Sequence, residues 1–173
     1  RIRLGYRPPF DFGRILDYLS SRALPGVERI ETDRYARSFN LGGAKGVLTV
    51  TPARGHALEA RVTMLDASAT ALPIRAIAAR LRRLFDLDAE PGAIAAAFAR
   101  DPLIGPRLKR APGLRVPGAF DGFELAVRAV LGQQISVKGA TTIAGRIVAK
   151  FGEPVSAERE GLTHFFPSPC PLY

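Results

Sequence analysis

The sequence predicts an α+β fold: an antiparallel sheet with two helices over residues 1–88, followed by a helical region over 89–173. Three observations predict it. Between residues 35 and 64, three runs alternate apolar and polar side chains with the period of two that a pleated strand imposes. The segments on either side of those runs return to the 3.6-residue spacing of an amphipathic helix. From residue 89 onward only helical spacing recurs and no strand pattern is found.

In chain order, residues 2–6 alternate as a short strand, and Pro8-Pro9 ends it. Asp11 is placed to cap a helix whose apolar stripe is Phe12, Ile15, Leu16 and Leu19. Pro25-Gly26 closes that unit. YARSFNL (35–41), GVLTVT (46–51) and ALEARVTM (57–64) then read as an antiparallel meander with one solvated face, the Gly42-Gly43 pair supplying the first hairpin turn. A second helix is expected over 72–87. Its stripe includes Ile74, Ile77, Leu81, Leu84 and Phe85, with Thr70 as a cap and Pro73 in the first turn. The expected order is β-α-β-β-β-α. Residues 92–100 read as a short helix and 101–118, with four prolines and three glycines, as a connecting loop.

The most informative stretch follows. Residues 119–152 read AFDGFELAVRAVLGQQISVKGATTIAGRIVAKFG. Asp121 and Glu124 have the spacing of a capping box, and Phe123, Val127, Val130 and Leu131 form a stripe. Ser136 caps a second helix, whose stripe is Ala140, Ile143, Ala144, Ile147 and Phe151, and Gly152 stops it. The pattern is a helical hairpin with a polar joint. Gln133 and Gln134 offer amides that both donate and accept, Ile135 is shaped to pack on a base, and Lys138 adds a positive charge. The new helix N-terminus near Ser136 presents free N–H groups suited to phosphate.

Composition fits a nucleic-acid partner. The chain carries a net charge of +9, and 24 of its 25 basic residues precede position 151. Hydrophobic residues at 47% exclude a disordered chain. No run approaches the roughly 20 apolar residues of a membrane span. The opening RIRLGYRPPFDFG lacks the apolar core of a signal peptide. The single cysteine, Cys170, allows no internal disulfide, and His56 and His164 lack metal-ligand neighbours. No metal and no cofactor are expected.

RPPFDF, YARSF and AVRAVLGQQISVKGA, within a similarity running over roughly residues 3–154, resemble the AlkA type of DNA-3-methyladenine glycosylase II, in the helix-hairpin-helix glycosylase superfamily. The resemblance implies a TATA-binding-protein-like N-terminal domain over 1–88 and the start of an all-α glycosylase domain over 89–173. It implies hydrolysis of the N-glycosidic bond of alkylated bases, with the damaged nucleotide flipped out of the duplex. The partner would be double-stranded DNA with alkylated or abasic sites. On matching positions Tyr18 lines the base pocket, and Gln133, Gln134 and Ile135 form the wedge, with Ser136 and Lys138 beside it. Some relatives carry leucine where this chain has Gln134.

The departures from that pattern concern catalysis. The catalytic aspartate follows a hairpin motif with an L-P-G-[IV]-G loop. LPGVE at 24–28 imitates the loop, but Glu28 replaces the second glycine and a strand pattern follows. The chain contains no tryptophan, so the pocket tryptophans are missing. The expected aspartate lies beyond the chain end, no catalytic residue is assigned, and the 173 residues are expected to be a C-terminally truncated, inactive piece of a bacterial, cytoplasmic, nucleoid-associated, monomeric enzyme. The alternatives are a helix-turn-helix regulator with Thr141–Lys150 as recognition helix, and a non-catalytic DNA-binding or interaction module. Either could belong to a fusion with a methyl-accepting transcription factor.

Overall fold

The computed structural model describes residues 1–65 and 72–169. Thr70 and Cys170 lie outside the described residues. The chain begins with strand β1 (Ile2–Gly5) and helix α1 (Phe12–Ser20). Strands β2 (Glu28–Glu31), β3 (Arg34–Leu41), β4 (Ala44–Ala53) and β5 (Ala57–Met64) follow, then helix α2 (Ile74–Leu84). The five strands form one antiparallel sheet in the order β1-β5-β4-β3-β2.

Helix α1 is capped as its sequence predicts, whereas α2 starts at Ile74 with Pro73 as its N-cap, just outside the first turn, and without a side-chain cap. Asp11 accepts from the Arg14 amide at 3.0 Å and so caps α1. Ile15, Leu16 and Leu19 turn inward, as their spacing requires. They meet Tyr35 and Phe39 of β3, Val50 of β4 and Ile77 and Leu81 of α2 in the main core. Between β3 and β4, Gly42 and Gly43 take φ values of 61° and 89°, the left-handed pair that a two-residue hairpin needs. Gly46 lies under Phe39: a Cβ there would stand 2.6 Å from the ring, so only glycine allows this cross-strand pair.

The structure adds a strand to the expected order. β2, sequence ERIE, pairs with β3 and gives the sheet its fifth strand. Its alternation is disguised because an inward-facing position is Glu28, not an apolar residue.

The helical region continues with α3 (Pro91–Ala97), α4 (Ile104–Arg110), α5 (Gly122–Leu131) and α6 (Val137–Phe151). α4 corrects the loop expected over 101–118. The Asp101 carboxylate caps it by accepting from the amides of Leu103 and Ile104, despite two prolines nearby. The rest of that segment binds back to the sheet region. Arg115 donates to the carbonyls of Asp86, Ala89 and Pro9, and Phe120 is buried in the main core.

The absence of strands after residue 89 is also corrected. β6 (Pro154–Arg159) and β7 (Leu162–His164) form a small hairpin through Glu160 and Gly161, both at positive φ. A strand opening on proline and a three-residue partner are too short for period-two alternation to stand out. This hairpin covers part of the sheet face expected to be solvated. Leu162 packs with Ala36 and Val47, and the Ser38 hydroxyl donates to the His164 carbonyl at 2.6 Å. Gly26 makes the approach possible: at φ 80°, its missing Cβ would sit 2.6 Å from Thr163 Oγ1.

Candidate functional site

The α5–α6 hairpin is built as its caps dictate. Asp121 accepts from the amides of Phe123 and Glu124, and Ser136 accepts from the amide of Gly139 at 3.1 Å. The capping box is only half formed, because the Glu124 side chain turns away from the cap toward Arg37 and Arg128. The apolar stripes are also less buried than expected. In α5 the buried residue is Glu124, while Phe123 and Val130 are exposed. In α6, Ala144 and Val148 pack against Leu24 and Val27, while Ile143 and Phe151 remain exposed.

A cavity of about 420 Å³ opens where this hairpin meets α1 and the sheet. Tyr18 and Arg22 line it from α1, Glu28 and Arg37 from β2 and β3, and Pro117–Phe120 from the connecting segment. Glu124 and Arg128 of α5, Gly132 and Ile135 of the joint, and Ala140 and Thr141 of α6 complete it. Of the positions singled out in the sequence, the structure therefore brings Tyr18 and Ile135 to one cavity. Gln133, Gln134 and Ser136 on the adjoining turn, and Lys138 in the first turn of α6, stand exposed and do not line it. Gln134 occupies the left-handed region at φ 61°, which is uncommon for a residue other than glycine.

The cavity's polar wall is a charge network. Arg37, with 3% of its side chain exposed, donates to Glu124 at 2.8 Å and lies 3.8 Å from Glu28. Arg128 reaches both carboxylates, at 3.2 Å to Glu124 and 3.4 Å to Glu28. Glu28 also accepts from the Tyr35 hydroxyl at 2.6 Å and from the Leu24 amide at 3.1 Å. Burial acts to lower the Arg37 pKa, but the facing carboxylates of Glu124 and Glu28 outweigh it and hold the guanidinium above its ordinary value. Burial, reinforced by Glu28, pushes the Tyr35 hydroxyl well above its ordinary value. Two cations thus face two anions, and both carboxylates are occupied by donors.

Arg22 completes the aromatic wall. Its guanidinium lies 3.8 Å over the Tyr18 ring and donates to Ser21 Oγ at 2.8 Å. The sequence reading missed Arg22, Glu28, Arg37, Glu124 and Arg128. A signal for Arg37 was present: it shares its strand face with Tyr35 and Phe39, so the alternation points a charge inward. Glu124 and Arg128 stand four apart on one helix, the spacing of an ion pair.

Among the described residues, no group of three or more His, Cys, Asp or Glu side chains could hold a metal ion, and no helix is long and apolar enough to cross a membrane.

The fold and the cavity together define an α+β sheet domain joined to a helical hairpin, with the candidate site at the join. Residues 1–121 match the family model for the AlkA N-terminal domain, and the chain belongs to that family. It is 41% identical over 167 residues to a Mycobacterium tuberculosis protein named "Probable bifunctional transcriptional activator/DNA repair enzyme AlkA", covering 96% of this chain and 33% of that one. It is 37% identical over 169 residues to the Escherichia coli protein named "DNA-3-methyladenine glycosylase 2", covering 96% and 55%. The chain thus spans a third to just over half the length of these relatives. A solved structure, a 3-methyladenine DNA-glycosylase from Archaeoglobus fulgidus, shares the fold with a TM-score of 0.78 at 20% identity, over 97% of this chain and 56% of that one.

Proposed function

We propose that these residues form the lesion-reading half of a base-excision DNA glycosylase that removes alkylated bases of the 3-methyladenine type from double-stranded DNA in the cytoplasm. The observation that carries this reading is the cavity itself, which joins Tyr18 of the sheet region to Ile135 of the hairpin joint. Its volume suits a small planar ligand, and a flipped base is one. Gln133, Gln134 and Ile135 enter the gap the base leaves, with Ser136 and Lys138 holding the flanking phosphate. In this reading the sheet region supplies the Tyr18 wall and the hairpin supplies the wedge. The two relatives, one named as a DNA repair enzyme and one as a DNA-3-methyladenine glycosylase, support the reading.

The same reading has the 173 residues binding without cleaving. Monofunctional glycosylases of this type use a free carboxylate against an oxocarbenium-like sugar. The two carboxylates on this cavity, Glu28 and Glu124, are occupied by Tyr35, Arg37 and Arg128. The test pairs a binding assay with a release assay, using the 173-residue chain. The expected result is tighter binding to a duplex with an abasic site than to an undamaged one, and no release of 3-methyladenine from alkylated DNA. Substituting Ile135→Ala with Gln134→Ala should abolish the preference while leaving undamaged-duplex binding intact. Equal affinity for both duplexes would refute the wedge, and base release by this chain would refute its inactivity.

A further inference from the structure

We propose that the exposed basic segment from Arg100 to Arg110, outside the cavity, is a second contact for the phosphate backbone of duplex DNA. The inference rests on DNA being the partner, and it names a surface that the wedge does not include. Four basic residues, Arg100, Arg107, Lys109 and Arg110, fall within eleven positions that hold a single acid, Asp101. All four are exposed. None has a carboxylate partner among the described residues; in the sheet region, on the same count, paired arginines such as Arg14, Arg29, Arg34 and Arg82 are interspersed with unpaired ones such as Arg54, Arg61 and Arg75. Asp101 is engaged elsewhere, accepting from the amides of Leu103 and Ile104 at 2.8 and 2.7 Å.

The segment is also held in place. Gly105 brings α4 against the end of α3, where a Cβ would lie 2.8 Å from the Phe98 carbonyl oxygen. At 1.5 Å per residue, α4 is roughly 10 Å long. That length covers about three phosphates of one strand at 3.4 Å per nucleotide along the axis. Attraction to a helix C-terminus explains a cation in the last turn. It does not explain four exposed cations left without a carboxylate partner among the described residues.

The test measures duplex affinity of the 173-residue chain against salt, by fluorescence anisotropy, on undamaged and abasic duplexes. The variant carries Arg100→Gln, Arg107→Gln, Lys109→Gln and Arg110→Gln together, with thermal melting as the fold control. Each lost phosphate contact removes about 0.9 from the slope of log affinity on log salt, so the slope should fall by about 3 to 4. Affinity near physiological salt should drop about tenfold or more, equally on both duplexes, with the abasic preference kept. An unchanged slope with intact fold would overturn the proposal and leave the wedge reading standing. Loss of the abasic preference in the unsubstituted chain, with the slope effect present, would do the reverse. A chain that binds neither duplex would overturn both.

Discussion

At the scale of single residues, the buried charges carry the sharpest expectations. Arg37 and Glu124 bring sheet and hairpin together at 2.8 Å with almost no solvent. Burying two charges gains little net stability over an apolar pair, but removing one partner strands the other. Glu124→Gln should therefore cost about 3 to 5 kcal/mol, read by denaturant unfolding. A loss under 1 kcal/mol would mean that water reaches Arg37. Tyr35 gives a second expectation, with a defined pH sense. Its folded pKa is raised by burial above the ordinary 10.0, so the protonated hydroxyl contributes fully below that value. The contribution is lost as pH rises above 10 toward the folded value. Ultraviolet titration should show Tyr35 ionising only with unfolding. Reversible ionisation of Tyr35 near pH 10 in the folded protein would contradict this.

At the scale of elements, the caps decide how the cavity wall is set. Asp121 starts α5 and also accepts from Arg80 of α2 at 2.6 Å, so one carboxylate sets both the helix start and its position on the sheet region. Burial acts to raise its pKa. The Glu124 amide, Arg80 and the Phe123 amide outweigh that and hold it below the ordinary 3.8. The depressed value means its contribution is whole above 3.8 and fades as pH falls through the folded pKa. Asp121→Asn keeps a capping oxygen and loses the charge. The melting difference between this variant and the parent sequence should be constant from pH 5 to 7 and shrink below about pH 4. A difference independent of pH would remove the ion pair with Arg80 from the account.

Elements were legible in the sequence where side-chain contrast was strong and local. The α1 stripe, the β3–β4 glycine turn and the caps at Asp11, Asp121 and Ser136 are all chemistry within a few residues of chain. What escaped was set at long range. β2 was hidden because Glu28 faces inward to an arginine of the neighbouring strand. The β6–β7 hairpin is held by contacts with Gly26 and Ser38, more than a hundred positions away. Of the cavity lining, Tyr18 and Ile135 were expected as site residues, Tyr18 from the family resemblance. The ionic wall left local traces at Arg37 and at Glu124 and Arg128, but the pairing of Arg37 with Glu124 across 87 residues leaves none.

At the scale of the whole molecule, the chain is stabilised unevenly. The sheet, α1 and α2 share a large apolar core that includes fully buried Tyr35, Leu48, Leu81 and Phe85. The hairpin is attached by the charge network and by a cluster of four buried residues, Leu24, Val27, Ala144 and Val148. Local opening follows buried apolar contact, so the hairpin should open at lower free energy than the sheet. Val148→Ala removes two carbons from the small cluster, worth about 1.5 kcal/mol at roughly 0.8 per carbon. If the hairpin opens as its own unit, amide exchange should quicken in α6 by about tenfold, since about 1.4 kcal/mol is a factor of ten. Exchange in β3, β4 and β5 should be unchanged under the same conditions, because those amides wait on opening of the larger core. Uniform quickening through both regions would show one cooperative unit. In that case the cavity wall would be as rigid as the sheet, and the proposed wedge would have to act without any yielding of the hairpin that carries it.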